Sequence, residues 1–322
     1  IKDISKAYDI KLEEMSQTES KVRKKFFGEP LLAPALATAL PYSEPTTEQS
    51  RAATRGDFTV GLTKERKPVV EPLELFERTL VNGGERAQRT HFLHILAESY
   101  LLSNVSVVIF DQNKSFKGLN SPTSSAHELK KYEVNIEPIG FPVEIYRVDQ
   151  NIKVDMNFID PLGFSQLFGF AKTAPTKIIE ATILKNKVKG IDDLIEKIKF
   201  TPLTDEVNAY EVKKTIRILK LVKLLQPTLF EGQNNLEDLT QAGVKTIGKA
   251  SIVDVSGLEP KIVFLLVHNI LNAALDYYRK KEKTKGVKSV FVLPELSALI
   301  QKQLSADMEK QLEEMIEQLE KL

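Results

Sequence analysis

The sequence predicts an α/β protein built around a mostly parallel sheet. Near-continuous apolar runs rich in β-branched residues alternate with helical patterns, and a strand, a glycine turn, a helix and a second strand follow one another at 78–111. Strands that are apolar throughout are typical of parallel sheets covered by helices on both faces. The chain has 322 residues, of which 42% are hydrophobic, which is enough to bury a sizeable core.

Charge and cysteine content exclude several classes of function. The chain carries 45 Lys+Arg against 44 Asp+Glu, a net charge of +1, so a nucleic-acid surface would have to be a local patch. It has no cysteine, which excludes disulfides, thiol nucleophiles and cysteine-bound metal centres. No apolar run reaches about 18 residues, and the chain begins at Ile1 with no pattern of a signal peptide. We therefore expect a cytoplasmic protein, no membrane partner and no resident metal.

The first elements form an arm and a small β unit. Residues 1–56 are charged and helical as far as a Gly28–Pro30 breaker and then rich in Pro, Ala, Thr and Ser, which predicts a helical and extended N-terminal arm. Two short strands follow at 57–62 and 68–70. The core is predicted to run from there to residue 322.

The next elements form the βαβ unit. Residues 78–84 (RTLVNGG) are predicted to be a strand ending in glycines, 90–102 a helix, and 105–111 (VSVVIFD) a buried strand ending in an acid. Asn, Ser, Pro and Gly predict a loop over 112–138, and a further strand is predicted at 141–148.

The second half begins with helices and returns to strands. Residues 158–245 are predicted to be a helical insertion, with helices at 161–169, 174–186, 190–198, 208–226 and near 235–242. After it, strands are predicted at 250–256 and 289–293, with a long helix at 259–283 between them. The end of the chain, 295–322, is predicted to be helical.

The segment from Gly83 to Thr90 invites comparison with the phosphate-binding loop G-x-x-x-x-G-K-[ST]. In that motif glycines wrap the phosphates, the lysine neutralises them and the hydroxyl binds Mg²⁺. Gly83, Gly84 and Thr90 fit, but Gln88 replaces the second glycine and Arg89 replaces the lysine. Arginine keeps the charge but is a bulkier planar fork. The nucleotide-binding candidates are therefore Gly83, Gly84, Arg89 and Thr90, in a loop whose affinity for phosphate is in question.

A nucleoside-triphosphatase also needs acids at the end of a second strand, for Mg²⁺ and the attacking water. The run 289–295 (SVFVLPE) places Glu295 as the candidate catalytic acid and Pro294 where a metal-side acid would stand. Asp111 is the further candidate on the nucleotide side. The alternative interpretation of Pro294 and Glu295 is an ordinary helix start, with proline in the first turn followed by an acid.

Taken together, these segments resemble the P-loop core of the HerA–FtsK group of DNA-pumping ATPases, and its archaeal HerA branch in particular. The resemblance covers roughly 57–300: the loop with its flanking segments, the turn Asp111–Phe116, the segment 140–164, and the run 251–299. It implies a RecA-like P-loop core with a helical insertion and an N-terminal extension. It also implies ATP with Mg²⁺, a homo-oligomer or protein complex, double-stranded DNA, and a nuclease or repair partner.

The sequence departs from this family at both ends of the site. The glycine–lysine pair is Gln88–Arg89, the acidic pair is Pro294–Glu295, and the histidine usually found just after that pair is absent. These losses favour a pseudo-ATPase that acts as an assembly or scaffold subunit. The alternative is an active DNA-dependent ATPase or translocase that uses Arg89 in place of the lysine and Asp111 as a relocated acid.

Three further patterns are open to two interpretations each. The basic helix at 212–225 could contact nucleic acid, as part of a translocase or of a binding module without nucleotide, or could be a solvated face; its candidates are Lys213, Lys214, Arg217 and Lys220. His91 and His94 are spaced for a metal pair but lack a helper acid, so packing or surface roles are favoured. A heptad pattern near the C-terminus predicts either pairing with a partner or docking on the body; it consists of Met308, Leu312, Met315, Leu319 and Leu322.

Overall fold

The computed structural model describes residues 56–65, 67–122, 139–148, 150–202, 207–232, 236–240, 247–280 and 289–294, together with Lys310 and Glu314. The predicted arm at 1–56, except Gly56, lies outside these residues. So does the predicted C-terminal helix at 295–322, except Lys310 and Glu314. Both of these residues are helical, and Lys310 Nζ lies 3.5 Å from Glu314 Oε1.

The described residues contain six strands and seven α-helices. The strands are β1 (Asp57–Leu62), β2 (Pro68–Pro72), β3 (Ser106–Asp111), β4 (Val143–Arg147), β5 (Ala250–Asp254) and β6 (Ser289–Val292). The helices are α1 (Arg86–Leu102), α2 (Pro161–Leu167), α3 (Ala174–Lys185), α4 (Ile191–Lys199), α5 (Ala209–Leu225), α6 (Leu236–Thr240) and α7 (Pro260–Lys280). Two short 3-10 helices lie at Leu73–Phe76 and Phe116–Asn120.

The main sheet has four parallel strands in the order β4-β5-β3-β6. Asp111 at the end of β3 lies beside Asp254 at the end of β5, which in turn lies beside Arg147 at the end of β4. β1 and β2 form a separate antiparallel pair. The predicted α/β class with a parallel sheet is therefore confirmed, and the arrangement is consistent with a RecA-like core.

Helices cover both faces of this sheet. Side chains alternate between the two faces along each strand, so each face contributes to its own hydrophobic cluster. Val107 and Ile109 pack with α1, the β1–β2 pair and Phe116. Val108 and Phe110 pack with α7 and the insertion. All six residues of β3 are buried, as expected for a central strand of a parallel sheet.

α7 joins the sheet to the helical insertion. Nearly every residue from Ile262 to Leu275 is buried, and a helix that is buried on all sides must be enclosed by other elements. The sheet covers one side of α7, and the helices between β4 and β5 share the same hydrophobic cluster. The predicted helices of the insertion are confirmed as α2 to α6, and α3, α4 and α5 pack against one another.

The predicted strand at 78–84 is wrong. Residues 79–82 have no regular secondary structure, and Leu80 and Val81 are only half-buried. Three residues, Thr79 to Val81, separate Arg78 from Asn82, so the segment is too short to fill a central strand position. The 3-10 helix at Phe116–Asn120 is a smaller correction to the loop predicted over 112–138.

Candidate functional site

The loop before α1 has the backbone shape of a tight glycine turn but no strand leading into it. Gly83 has φ of +86° and Gly84 has φ of +63°, values that a side chain with a Cβ rarely adopts. The preceding regular element is the 3-10 helix at Leu73–Phe76. The structure therefore supplies the glycine turn and the helix N-terminus of a phosphate loop, without the strand that the motif requires.

Asn82 of the loop and Gln88 of the first turn of α1 occupy backbone amides that a phosphate would use. The N–H of Gly83 donates to Asn82 Oδ1 at 2.7 Å, and the N–H of Glu85 donates to Gln88 Oε1 at 2.9 Å. Free amides at a helix N-terminus attract anions. Here the chain provides its own neutral acceptors, and Gln88, which stands at the position of the second glycine, provides one of them.

The cation that replaces the motif's lysine, Arg89 in the first turn of α1, also contacts the loop. Arg89 Nη1 donates to the carbonyl of Gly84 at 2.7 Å and makes a longer contact of 3.4 Å with the carbonyl of Gly83. Its guanidinium therefore lies against two backbone oxygens. Thr90, the next residue of α1, is half-buried. The structure thus brings Gly83, Gly84 and Arg89 together through contacts among themselves, and their binding of nucleotide stays a prediction.

Asp111 is buried and caps the turn that follows β3. Its Oδ1 accepts from the N–H groups of Asn113 and Ser115, both at 3.1 Å, and its Oδ2 accepts from the N–H of Phe116 at 2.9 Å. The residue is only 2% exposed. Both carboxylate oxygens are thereby committed to the backbone of the turn.

His94 links α1 to the same turn, which sequence reasoning did not foresee. Its Nε2 lies 2.9 Å from the carbonyl of Ser115, so this nitrogen carries the proton and donates it. The ring stacks on Phe116 at 4.2 Å between centroids. Burial lowers the pKa of His94, and the neighbouring His91 lowers it further. The hydrogen bond to Ser115 and the charge of Asp111 raise the pKa, but by less. Among the described residues no cluster of three or more His, Asp or Glu side chains could hold a metal ion.

A second polar group lies at the carboxyl edge of the sheet and was also missed. Asp254 Oδ1 accepts from the hydroxyl of Ser256 at 2.5 Å, and its Oδ2 lies 3.7 Å from Arg147 Nε. Burial alone would raise the pKa of Asp254, but the Ser256 bonds and the charges of Lys114 and Lys117 leave it below its ordinary value. An acid at the end of each of two adjacent parallel strands was the available signal, since ligands bind at this edge in α/β sheets.

Two sets of predicted site residues lie elsewhere. Pro294 is the second residue after β6. Glu295 lies outside the described residues, so its catalytic role stays a prediction. The basic candidates lie on α5 of the insertion, where Lys213, Arg217 and Lys220 are exposed. Lys214 is half-buried and pairs with Glu211 at 3.6 Å.

Compared with models of known protein families and with curated protein sequences, the chain matches none of them. In the part of the chain that the structure describes, no helix combines the length and the apolar character needed to cross a membrane. The geometry of the loop and of the sheet edge is therefore the basis for any functional proposal.

Proposed function

We propose that this protein is a HerA–FtsK-like pseudo-ATPase that acts as an assembly or scaffold subunit with weak or absent ATP hydrolysis. The resemblance over 57–300 and the parallel α/β core support the kinship. In this proposal the core is retained for the surfaces it presents to partner proteins, and double-stranded DNA is the nucleic acid with which the assembly would associate. A homo-oligomer or mixed complex follows from the scaffold role.

The observation that carries the proposal is that the polar groups around this loop already hydrogen-bond to one another. A phosphate entering it would have to displace Asn82 from the N–H of Gly83 and Gln88 from the N–H of Glu85. Arg89 would also have to leave the carbonyl of Gly84 before it could neutralise the added charge. Each exchange replaces an existing hydrogen bond, so the net gain from binding is small.

The metal side of the site supports the same conclusion. Mg²⁺ is bound through carboxylate oxygens and substrate phosphates. Asp111 already accepts three backbone hydrogen bonds, and Pro294 has no side-chain ligand to offer. If Asp111 served as the relocated acid and bound Mg²⁺, its carboxylate would have to give up hydrogen bonds to the turn that it caps.

Calorimetry of ATP and ADP binding, with and without Mg²⁺, tests the proposal directly. We expect no binding at millimolar nucleotide, and no turnover above background with or without double-stranded DNA. The matched variants are Arg89→Ala and Lys64→Ala, the latter removing an exposed cation from the turn between β1 and β2. Neither variant should alter the result.

The active-enzyme alternative predicts the opposite pattern. It requires ATP turnover stimulated by duplex DNA at low salt, lost in Arg89→Ala and kept in Lys64→Ala. That combination would overturn the pseudo-ATPase proposal, because it would show Arg89 acting on bound phosphate.

A further inference from the structure

The outward face of α5 combines apolar and basic side chains along its whole length. The members of this outer face are Tyr210, Lys213, Arg217, Lys220, Leu221 and Leu224. Tyr210 is 68% exposed, Leu221 56% and Leu224 78%. Positions 210, 217 and 224 are seven apart, so they lie on one line of the helix surface. Large apolar side chains gathered on one exposed face mark an interaction surface.

The opposite face of α5 holds this surface in place. Val212, Thr215, Leu219 and Val222 are buried within the insertion. The hydroxyl of Thr215 also donates to the carbonyl of Glu211 at 2.8 Å. The outer face thus belongs to a helix whose inner side is packed against the rest of the insertion.

The cations of the outer face differ from their neighbours on the same helix. Lys214 pairs with Glu211 at 3.6 Å and Lys223 pairs with Asp192 at 2.5 Å. Within the described ranges, Lys213, Arg217 and Lys220 have no acidic partner. The surface therefore presents three uncompensated positive charges beside its leucines and tyrosine.

This composition favours an acidic amphipathic helix over a nucleic-acid backbone. Phosphate contacts require cations and hydrogen-bond donors, and they leave Leu221 and Leu224 in water. A helix with an apolar seam and acidic flanks covers both kinds of side chain, as in coiled-coil pairing.

The sequence of this chain contains such a helix pattern. Residues 308–322 (MEKQLEEMIEQLEKL) carry apolar residues at 4-3-4-3 spacing, five glutamates and two lysines. Fifteen helical residues span about 22 Å and the 17 residues of α5 span about 25 Å. Lys310 and Glu314, the described members of this segment, are helical. On a helix, Glu309 and Glu320 lie beside this apolar line, whereas Glu313, Glu314 and Glu317 lie on the far side. The segment is thus complementary to the outer face of α5 in apolar spacing, in length and in net charge.

We propose that the outer face of α5 is the docking surface for residues 308–322 of a second copy of this chain. The choice of a second copy rests on the assembly role proposed above. Each copy carries one basic face and one acidic segment, so two copies can exchange segments in a two-fold dimer, or successive copies can form a ring.

Single cysteines test this contact, because the native chain has none. A full-length Leu221→Cys chain is mixed with a full-length Met315→Cys chain under mild oxidation, and the mixed disulfide is identified by mass spectrometry. Leu75→Cys, 65% exposed in the 3-10 helix after β2, replaces Leu221→Cys as the collision control. We expect at least tenfold more mixed disulfide from the 221–315 pair than from the 75–315 pair. Equal yields would overturn the proposal.

A chain carrying both cysteines identifies the copy that supplies the segment. Oxidation should give crosslinked products with the mass of a dimer or larger. A product with only the monomer mass would overturn the choice of a second copy. Because neither assay involves nucleotide, a failed crosslink with ATP still unbound would count against this contact and leave the pseudo-ATPase proposal standing.

Charge reversal tests the electrostatic part. The changes Lys213→Glu, Arg217→Glu and Lys220→Glu together should lower the 221–315 yield at least tenfold. Adding Glu309→Lys and Glu320→Lys, the two acids beside the apolar line of the segment, to the partner chain should restore it. If reversal instead abolishes duplex DNA binding and leaves the crosslink unchanged, the outer face is a nucleic-acid surface and the proposal fails.

Discussion

At the scale of single residues, the candidate site is defined by what its polar groups already contact. Gln88 and Asn82 accept hydrogen bonds from loop amides, Arg89 donates to loop carbonyls, and Asp111 accepts from its own turn. Each of these side chains could serve a nucleotide, and each instead completes local structure. Stability measurements separate these two roles.

Asp111→Asn should destabilise the fold by about 2 kcal/mol. The asparagine keeps one acceptor oxygen and places an NH₂ group against a backbone N–H that donated to the carboxylate. Urea unfolding should show a lower midpoint at an unchanged slope. Asp276→Asn is the control, since that half-buried carboxylate pairs with Lys280 one turn away and such pairs contribute little. Equal midpoints for Asp111→Asn and the native chain would show that the turn does not need this cap.

His94 should make stability fall in mildly acidic solution. Its pKa is lowered in the fold by burial, so the unfolded chain binds the proton first as the pH falls below about 6.5, the ordinary histidine value. Stability is therefore full above that pH and is lost down to the lowered pKa. His94→Gln can still donate to Ser115 but does not titrate, so its stability should decline less between pH 7.5 and 5.

His91→Gln is the matched control for this pH dependence, because His91 is an exposed histidine on the same helix. Its unfolding midpoint should stay close to the native pH profile, because burial, and not the charge of His91, is the main cause of the lowered pKa of His94. His268, whose pKa burial also lowers, keeps part of the slope in both variants. An identical slope in His94→Gln and the native chain would contradict the assignment to His94.

At the scale of elements, α1, β3 and β5 meet in a backbone contact at the amino edge of the sheet. The N–H of Gly248 donates to the carbonyl of Leu101 at 2.7 Å. A Cβ at position 248 would lie 2.1 Å from the carbonyl oxygen of Val105. Only glycine allows this approach, so the residue sets the distance between the end of α1 and the start of β5.

Gly248→Ala should therefore cost about 3 kcal/mol of stability, because the atoms that the methyl group meets are backbone atoms that cannot move aside. Gly118→Ala is the control, since a Cβ there meets nothing within 4 Å, and its effect should stay within about 0.5 kcal/mol. Thermal and urea unfolding of both variants provide the comparison. Similar stability of the two would show that the sheet edge adjusts.

Elements of this kind were predictable where an apolar run was long enough to fill a buried position. β3 has six buried residues and was predicted almost to its ends. The strand predicted at 78–84 failed because three residues between Arg78 and Asn82 cannot supply such a run. The loop contacts of Gln88 and Arg89 were beyond prediction, since a motif specifies residue types and not their hydrogen-bond partners. His94 and Gly248 depend on elements far apart in sequence.

At the scale of the whole molecule, a buried polar contact ties the insertion to the core. Asn269 on α7 is fully buried, and its amide accepts from the N–H of Asp155 at 2.9 Å and donates to the carbonyl of the same residue at 2.7 Å. Asn157 extends the link by bonding to both backbone groups of Val188 at the entry to α4. Because core and insertion also share one hydrophobic cluster, they should unfold as a single cooperative unit.

Asn269→Ala tests this coupling. The change leaves the buried N–H of Asp155 without its partner, while the carbonyl of Asp155 keeps the hydrogen bond from the N–H of Phe158 at 3.1 Å. The loss should cost about 2 kcal/mol. Hydrogen exchange followed by mass spectrometry should show protection falling in α2 to α5 before it falls in β3 and β5, because the lost contact is the one that joins them. Asn272 lies one turn along α7, is only half-buried, and contacts the carbonyl of Phe158 at 3.4 Å and Nδ1 of His268 at 3.1 Å. Asn272→Ala is the control and should lose less stability, because it leaves both backbone groups of Asp155 paired. If hydrogen exchange in the variant rises equally in the insertion and in β3, Asn269 stabilises the molecule without coupling its parts. If the native chain unfolds in two separate transitions, the insertion folds by itself.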